Sequence, residues 1–284
     1  MRPTIKSHIC RALQAFAVLV MAARRGALKS SRATRLLPAF AGGVLLGVLA
    51  ACGGGGGSGG SSSAASPSSA SGVQLQNCAS IMPLGDSITL GVNGGYRNDL
   101  YTGLQQDNCG VSYVGTESDP LTRVADKDHE GHPGFTIADV AGRVDAWVAS
   151  TQPGIILLMI GTNDTAWWTG ENANQIGARH DALIEQLRTT RPNAVIFVAS
   201  IPPQSSALIQ PNNVDRAALT RQLNDVIKSN VEARVALGQR VRFVDVNSAL
   251  TTADLYDGIH PTEAAHARVA QKFLGAIRAA LGSA

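Results

Sequence analysis

From residue 81 onward, short apolar runs alternate with longer segments of helical period. The runs at 81–84, 111–114, 155–160, 194–199 and 241–246 are predicted strands, and the third and fourth are unbroken by any polar residue, as in strands covered on both faces. Residues 96–106 read as a helix with Leu100, Tyr101 and Leu104 on one face, and 137–148 as a helix whose core stripe is Val140, Ala141, Val144 and Val148. A third helix over 173–190 stops before Pro192, and a fourth over 214–237 ends at Gly238. The last begins at an N-cap, Thr262, and repeats Val269, Phe273, Ile277 and Leu281 at every fourth position. Strand and helix alternating in this way predict an α/β domain, a five-stranded parallel sheet with helices on both faces. Two connections, 115–136 and 161–172, are too long to be routine links, and long ordered loops in such domains usually carry function.

Ahead of residue 73 the pattern is different. Residues 1–51 hold eight Lys and Arg and no Asp or Glu, and the last charge is followed by an apolar run from 36 to 51 that Pro38 and Gly42-Gly43 interrupt. A basic stretch, a short apolar stretch and a small-residue end describe an export signal, with Met1 and Met21 both available as starts. The end, Leu49-Ala50-Ala51-Cys52, resembles the bacterial lipoprotein signal, which implies a lipidated Cys52 and a membrane anchor in the bacterial envelope. An ordinary signal peptide or an uncleaved anchor are the alternatives. Residues 53–72 are almost all Gly, Ser and Ala and read as a flexible tether that cannot bury enough apolar area to fold. Its glycine run has no Lys and follows no strand, so it is not a phosphate loop. The folded part is 73–284.

The leader also accounts for the positive charge. It holds 8 of the 24 Lys and Arg, leaving 16 against 21 Asp and Glu, net −5. Nothing in the remainder suggests nucleic acid as a partner. Once Cys10 leaves with the leader and Cys52 takes lipid, Cys78 and Cys109 remain, an isolated pair that in an exported protein reads as one disulfide.

Four short blocks fall at the carboxyl ends of strands or in the loops after them: Gly85-Asp86-Ser87, residues 130–134 (Glu-Gly-His-Pro-Gly), Gly161-Thr162-Asn163-Asp164, and residues 257–260 (Asp-Gly-Ile-His). An acyl-enzyme hydrolase needs a nucleophile, a base, a group that orients the base, and donors for an oxyanion. Ser87 supplies the hydroxyl, His260 the base and Asp257 the orienting carboxylate, while the amides of Ser87 and Gly134 and the side chain of Asn163 are candidates for the oxyanion hole. The bland alternatives are an Asp-Ser helix cap at residue 86 and a loop cap at Asn163. Asp126, Asp128, His129, Glu130 and His132 are the one set that suggests a metal, but polar residues alternating in a long loop read better as a hydrogen-bonded network around Gly134. No metal or cofactor is called for. His180 and His266 lie on helices and read as surface or packing residues.

In these four blocks the chain resembles the GDSL/SGNH hydrolases, named for a Ser, Gly, Asn and His that here are Ser87, Gly134, Asn163 and His260, with Asp257 at the partner Asp. The resemblance covers about residues 78–281 and implies a flavodoxin-like three-layer α/β/α sandwich. Where the family name has Leu, this chain has Ile88-Thr89. Residues 126–136, with Gly95-Tyr96-Arg97, are similar to the bacterial acetylxylan esterases of carbohydrate esterase family three. That likeness implies an exported serine esterase that deacetylates xylan or a related polysaccharide. Arg97 is then a candidate substrate contact, or an anchor for the first helix, and Trp167 and Trp168 are candidates to stack on sugar rings. Two rivals remain: a lipase- or thioesterase-type acyl hydrolase of the same superfamily, and a non-catalytic polysaccharide-binding surface lipoprotein. The lack of a large apolar lid argues against the first, and Ser87, Asp257 and His260 together argue against the second.

Overall fold

Ile81–Gly85 forms β1, five residues all buried, at the middle of the sheet. The computed structural model describes Cys78 and residues 80–166, 170–206 and 215–282, all within one unit, Ser69–Ala284. The leader, Cys52, the tether, Trp167 and Trp168 lie outside the described residues. After β1 come helices α1 (Ser87–Leu90) and α2 (Tyr96–Gln106), strands β2 (Glu117–Ser118) and β3 (Asp128–Gly131), and helices α3 (Ile137–Ala141) and α4 (Val144–Thr151). Then follow β4 (Ile155–Met159), α5 (Thr162–Ala166), α6 (Ala173–Thr190), β5 (Val195–Ala199), α7 (Arg216–Ala236), β6 (Val241–Val244) and α8 (Glu263–Leu281).

The six strands run in the order β2-β3-β1-β4-β5-β6. Five are parallel, and β2 adds a short antiparallel edge to β3. The parallel strands alone give the flavodoxin-like order, in which the sheet's direction of growth reverses beside β1 and leaves a crevice at the carboxyl ends. Side-chain alternation sends Ile155, Leu157 and Met159 of β4 into a core with Leu100 of α2 and Phe273 of α8. Ile156 and Leu158 point into the other core, with Val140 and Val144 of α3 and α4, Ile184 of α6 and Ile227 of α7. These are the two apolar interfaces of a three-layer sandwich.

Two expectations need correction. The second parallel strand is not 111–114 but β3, whose sequence is Asp-His-Glu-Gly. Residues 111–114 do run beside β1, with Ile81 N donating to Ser112 O and Val114 N to Ile81 O (both 2.8 Å), but they make only an isolated bridge at Tyr113. β3 then takes over, pairing Glu130 with Leu84 and Gly131 with Gly85. The same handover explains Pro83 in a central strand. Residues 81, 83 and 85 turn their main-chain groups to this side, so the N–H that proline lacks falls in the gap between the two neighbours. The second correction is that 137–148 is two helices, broken at Gly142 and Arg143, although Val140, Val144 and Val148 stay buried on one stripe.

His180, on α6, is fully buried with neither ring nitrogen bonded among the described residues. Burial lowers its pKa from 6.5 to about 4, against a small upward pull from Asp181. At pH 5 the unfolded imidazole holds a proton and the folded one does not, so its contribution to stability falls as pH drops from 6.5 towards 4. Between pH 7 and pH 5 the protein should therefore lose about 2 kcal/mol more stability than His180→Leu does. Urea unfolding at the two pH values tests this, and an equal loss in both proteins would clear His180 of the effect.

Candidate active site

β1 delivers Ser87 to the carboxyl edge of the sheet. Gly85 is needed for the close approach to β4, because a Cβ there would lie 2.2 Å from Met159 O. Asp86 caps α1 by accepting from Ile88 N at 2.9 Å, and burial pushes its carboxyl up to about 6, against the pull of that N–H and of nearby His260. Ser87 opens the helix, half-buried, so its own N–H has no carbonyl of that helix to bond.

The partner for its hydroxyl comes from the loop before α8. An antiparallel bridge joins Leu255 to Pro261, Tyr256 N donates to His260 O at 3.0 Å, and Thr262 N donates to Asp254 O at 2.8 Å. Within this clamp Asp257 Oδ1 accepts from Ile259 N at 3.0 Å and from His260 N at 2.8 Å. Its Oδ2 lies 2.7 Å from His260 Nδ1, and His260 Nε2 lies 2.9 Å from Ser87 Oγ. Burial raises the Asp257 pKa, but the bonds from the His260 ring and amide outweigh it and hold the carboxyl below its usual range. An ionised Asp257 takes the proton on Nδ1 as a hydrogen bond, which leaves the Nε2 lone pair to accept from the serine hydroxyl.

Gly134 and Asn163 meet through the residue between their segments. His132 N donates to Gly85 O at 3.0 Å, and Phe135 N to His132 O at 3.2 Å, closing a turn with Gly134 at φ +80°. A Cβ at Gly134 would meet nothing within 4 Å, so the backbone conformation, not space, is what calls for glycine. Asn163 Nδ2 donates to Phe135 O at 2.8 Å, and Asp164 accepts from Ile137 N at 3.0 Å and from Arg179 at 3.1 Å. The turn itself rests on Glu130, which is fully buried and accepts from Thr116 N and Oγ1 at 2.8 Å each and from His132 Nε2 at 2.6 Å. The His132 ring lies against both Phe135 (4.7 Å) and Trp147 (4.5 Å), and those two rings are themselves 6.5 Å apart. His129 Nδ1 accepts from Gly131 N at 3.0 Å, and Asp126 Oδ2 accepts from Tyr113 N at 2.6 Å. These side chains form a hydrogen-bonded scaffold under the turn.

Ser87, His260 and Asp257 are thus brought into one chain of hydrogen bonds, and Gly134 and Asn163 are joined by way of Phe135. Arg97 is not part of this constellation, and its place as a substrate contact needs correction. It is 0% exposed and donates to Thr89 O (3.2 Å), Leu90 O (3.0 Å), Lys127 O (3.4 Å) and Asp119 Oδ2 (3.2 Å). It anchors α2 to the end of α1 and to the segment before β3. Cys78 and Cys109 are disulfide-bonded, 31 residues apart, and tie the segment before β1 to the one after α2. Sequence reasoning missed Trp147, which stands off the core stripe of its helix. It also missed Gln204, whose Nε2 donates to Thr162 O (3.2 Å) and Thr165 Oγ1 (2.6 Å), while the next residue, Ser205, donates from N to Gly258 O at 2.9 Å. That segment links the Asn163 block to the His260 loop.

A parallel sheet with a serine, histidine and aspartate in register at its carboxyl edge is the arrangement of an acyl-transfer hydrolase. Residues 84–268 match the GDSL-like Lipase/Acylhydrolase family, and the chain belongs to that family. A multidomain esterase of Ruminococcus flavefaciens is 30% identical over 235 residues, 73% of this chain but only 29% of the relative, so the chain spans less than a third of its length. Among solved structures, a family 3 carbohydrate esterase of Clostridium thermocellum is 30% identical, with 71% of this chain and 98% of that one covered and a TM-score of 0.59. An acetyl esterase solved with an acetate ion is 26% identical, with 71% and 97% covered and a TM-score of 0.62.

Proposed function

We propose that the protein removes acetyl groups from carbohydrate, acetylated xylan or a related polysaccharide, through an acyl-enzyme on Ser87. The observation that carries this is the relay from Ser87 Oγ to His260 Nε2 (2.9 Å) and from His260 Nδ1 to Asp257 (2.7 Å). The likeness to a family 3 carbohydrate esterase and to an acetyl esterase supports acetate on sugar as the ester. Ser87 Oγ attacks the acetyl carbonyl while His260 Nε2 takes its proton, and Asp257 holds the ring and stabilises the imidazolium. The Ser87 and Gly134 amides and the Asn163 side chain face the negative oxygen of the tetrahedral intermediate, where losing one donor typically costs about 3 kcal/mol. The imidazolium returns its proton to the departing sugar oxygen. Water, activated by the same histidine, then attacks the acetyl-serine, releasing acetate and restoring the hydroxyl.

The test is a substrate panel. Aryl acetate should be cleaved faster than aryl octanoate by on the order of 100-fold, because a closed pocket penalises several methylenes at once. Acetylated xylan should release acetate. Equal rates on both chain lengths with no acetate from xylan would move the enzyme to the lipid or thioester hydrolases. Inactivity on every ester would leave a binding protein on an enzyme's fold.

A further inference from the structure

Tyr256 is 46% exposed, and it is the one aromatic among the large exposed apolar residues described. Its ring is nevertheless held in place. The backbone on either side is fixed by the Leu255–Pro261 bridge and by the bond from Tyr256 N to His260 O. The phenol ring lies nearly parallel to the His260 imidazole, centroids 5.7 Å apart and planes 17° apart. Proton transfer does not need it. The relay runs from the imidazole edge, Nε2 to Ser87 and Nδ1 to Asp257, whereas the Tyr256 ring lies alongside, nearly parallel and with its centroid 5.7 Å away.

We propose that Tyr256 is one wall of a saccharide subsite on the leaving-group side, packing against the pyranose that carries the ester. This rests on the deacetylase reading above. To receive its proton, the departing oxygen must come within about 3 Å of His260 Nε2. The carbonyl oxygen turns the other way, towards the amides of Ser87 and Gly134. Whatever the departing oxygen belongs to therefore lies beside the imidazole, and a sugar ring bonded to it reaches the Tyr256 ring next door. An aromatic face is apolar with a polar tip, matching the C–H-rich face and hydroxyl rim of a pyranose. Tyr256 accordingly selects the alcohol and leaves the choice of acyl group to the other side of Ser87.

The test compares Tyr256→Ala, Tyr256→Phe and Tyr256→Trp with the parent, on acetylated xylo-oligosaccharides and on ethyl acetate, whose alcohol is too small to stack. With the alanine variant, KM for the oligosaccharide should rise about tenfold more than KM for ethyl acetate, as expected for one lost ring contact. The phenylalanine and tryptophan variants, which keep a ring, should hold KM near that of the parent. An alanine variant that loses kcat equally on both substrates with KM unchanged would mean that Tyr256 only steadies His260, and would overturn the subsite. So would phenylalanine and tryptophan variants as impaired as alanine. Failure of the deacetylase reading shows separately, in the parent itself, as activity on ethyl acetate with none on any acetylated saccharide, and the subsite falls with it.

Discussion

Ser87→Ala should abolish ester hydrolysis, a loss on the order of 10⁴-fold or more in kcat, while the thermal unfolding curve stays that of the parent. The hydroxyl sits half-exposed at the start of a four-residue helix, and its side-chain partner is His260, not the core. Alanine fits the helix, and the cap from Asp86 to Ile88 N stays in place. An aryl acetate assay beside a circular dichroism melt decides the matter. Activity within about tenfold of the parent would place the nucleophile elsewhere.

Asp257→Asn should be nearly as damaging, about 10³- to 10⁴-fold in kcat/KM, and worse than Asp257→Ala. The asparagine oxygen can still accept from Ile259 N and His260 N, so the loop keeps its shape. The other arm of the side chain becomes an NH₂ group aimed at His260 Nδ1, where a carboxylate oxygen now sits at 2.7 Å. Two donors cannot face each other, so the imidazole proton moves to Nε2, and the ring can no longer accept from Ser87. Alanine leaves the tautomer free and is the milder lesion for catalysis, though it removes two loop hydrogen bonds and should lower the melting temperature. The pair of variants is informative together. An asparagine enzyme more active than the alanine one would show that Asp257 is a loop cap and nothing more.

Most of the fold was legible because its strands are apolar on both faces and its helices carry their own stop signals. Helix α6 has the predicted bounds, Ala173–Thr190, with a capping box between Asn172 and Gln175 at one end and Pro192 just beyond the other. Thr262 caps α8 by accepting from Ala265 N, as its position before the apolar repeat suggested. β3 was illegible for a physical reason. Its buried glutamate is satisfied by Thr116 and His132, and hydrogen bonds leave no hydrophobic period to read. The four chemical blocks could be seen as blocks because each packs its polar groups into a few consecutive residues. For Arg97 the letters left two roles open, a substrate contact and an anchor for the first helix, and the fold takes the second. The carbonyls that surround it come from residues 89, 90 and 127, and nothing local announces them. Tyr256 went unread because exposure is a property of the fold, not of the letter.

The handover beside β1 leaves a port for insertion. The chain leaves the flank of β1 near Tyr113, opposite Ile81, and returns to it at Glu130, opposite Leu84, after forming β2 on the outer edge of β3, so both ends of the excursion are pinned only three residues apart along one strand. The loop between β2 and β3 lies outside this pairing, so its length is not set by the ladder. Doubling a loop costs only about 0.6 kcal/mol in closure entropy. Outside β2 and the residues that hold Arg97 and the scaffold under the turn, Thr116, Asp119, Asp126 and Lys127, this stretch can grow or shrink across evolutionary time without disturbing the strand that carries Ser87. The end of β1 is then inherited unaltered while the edge of the sheet varies.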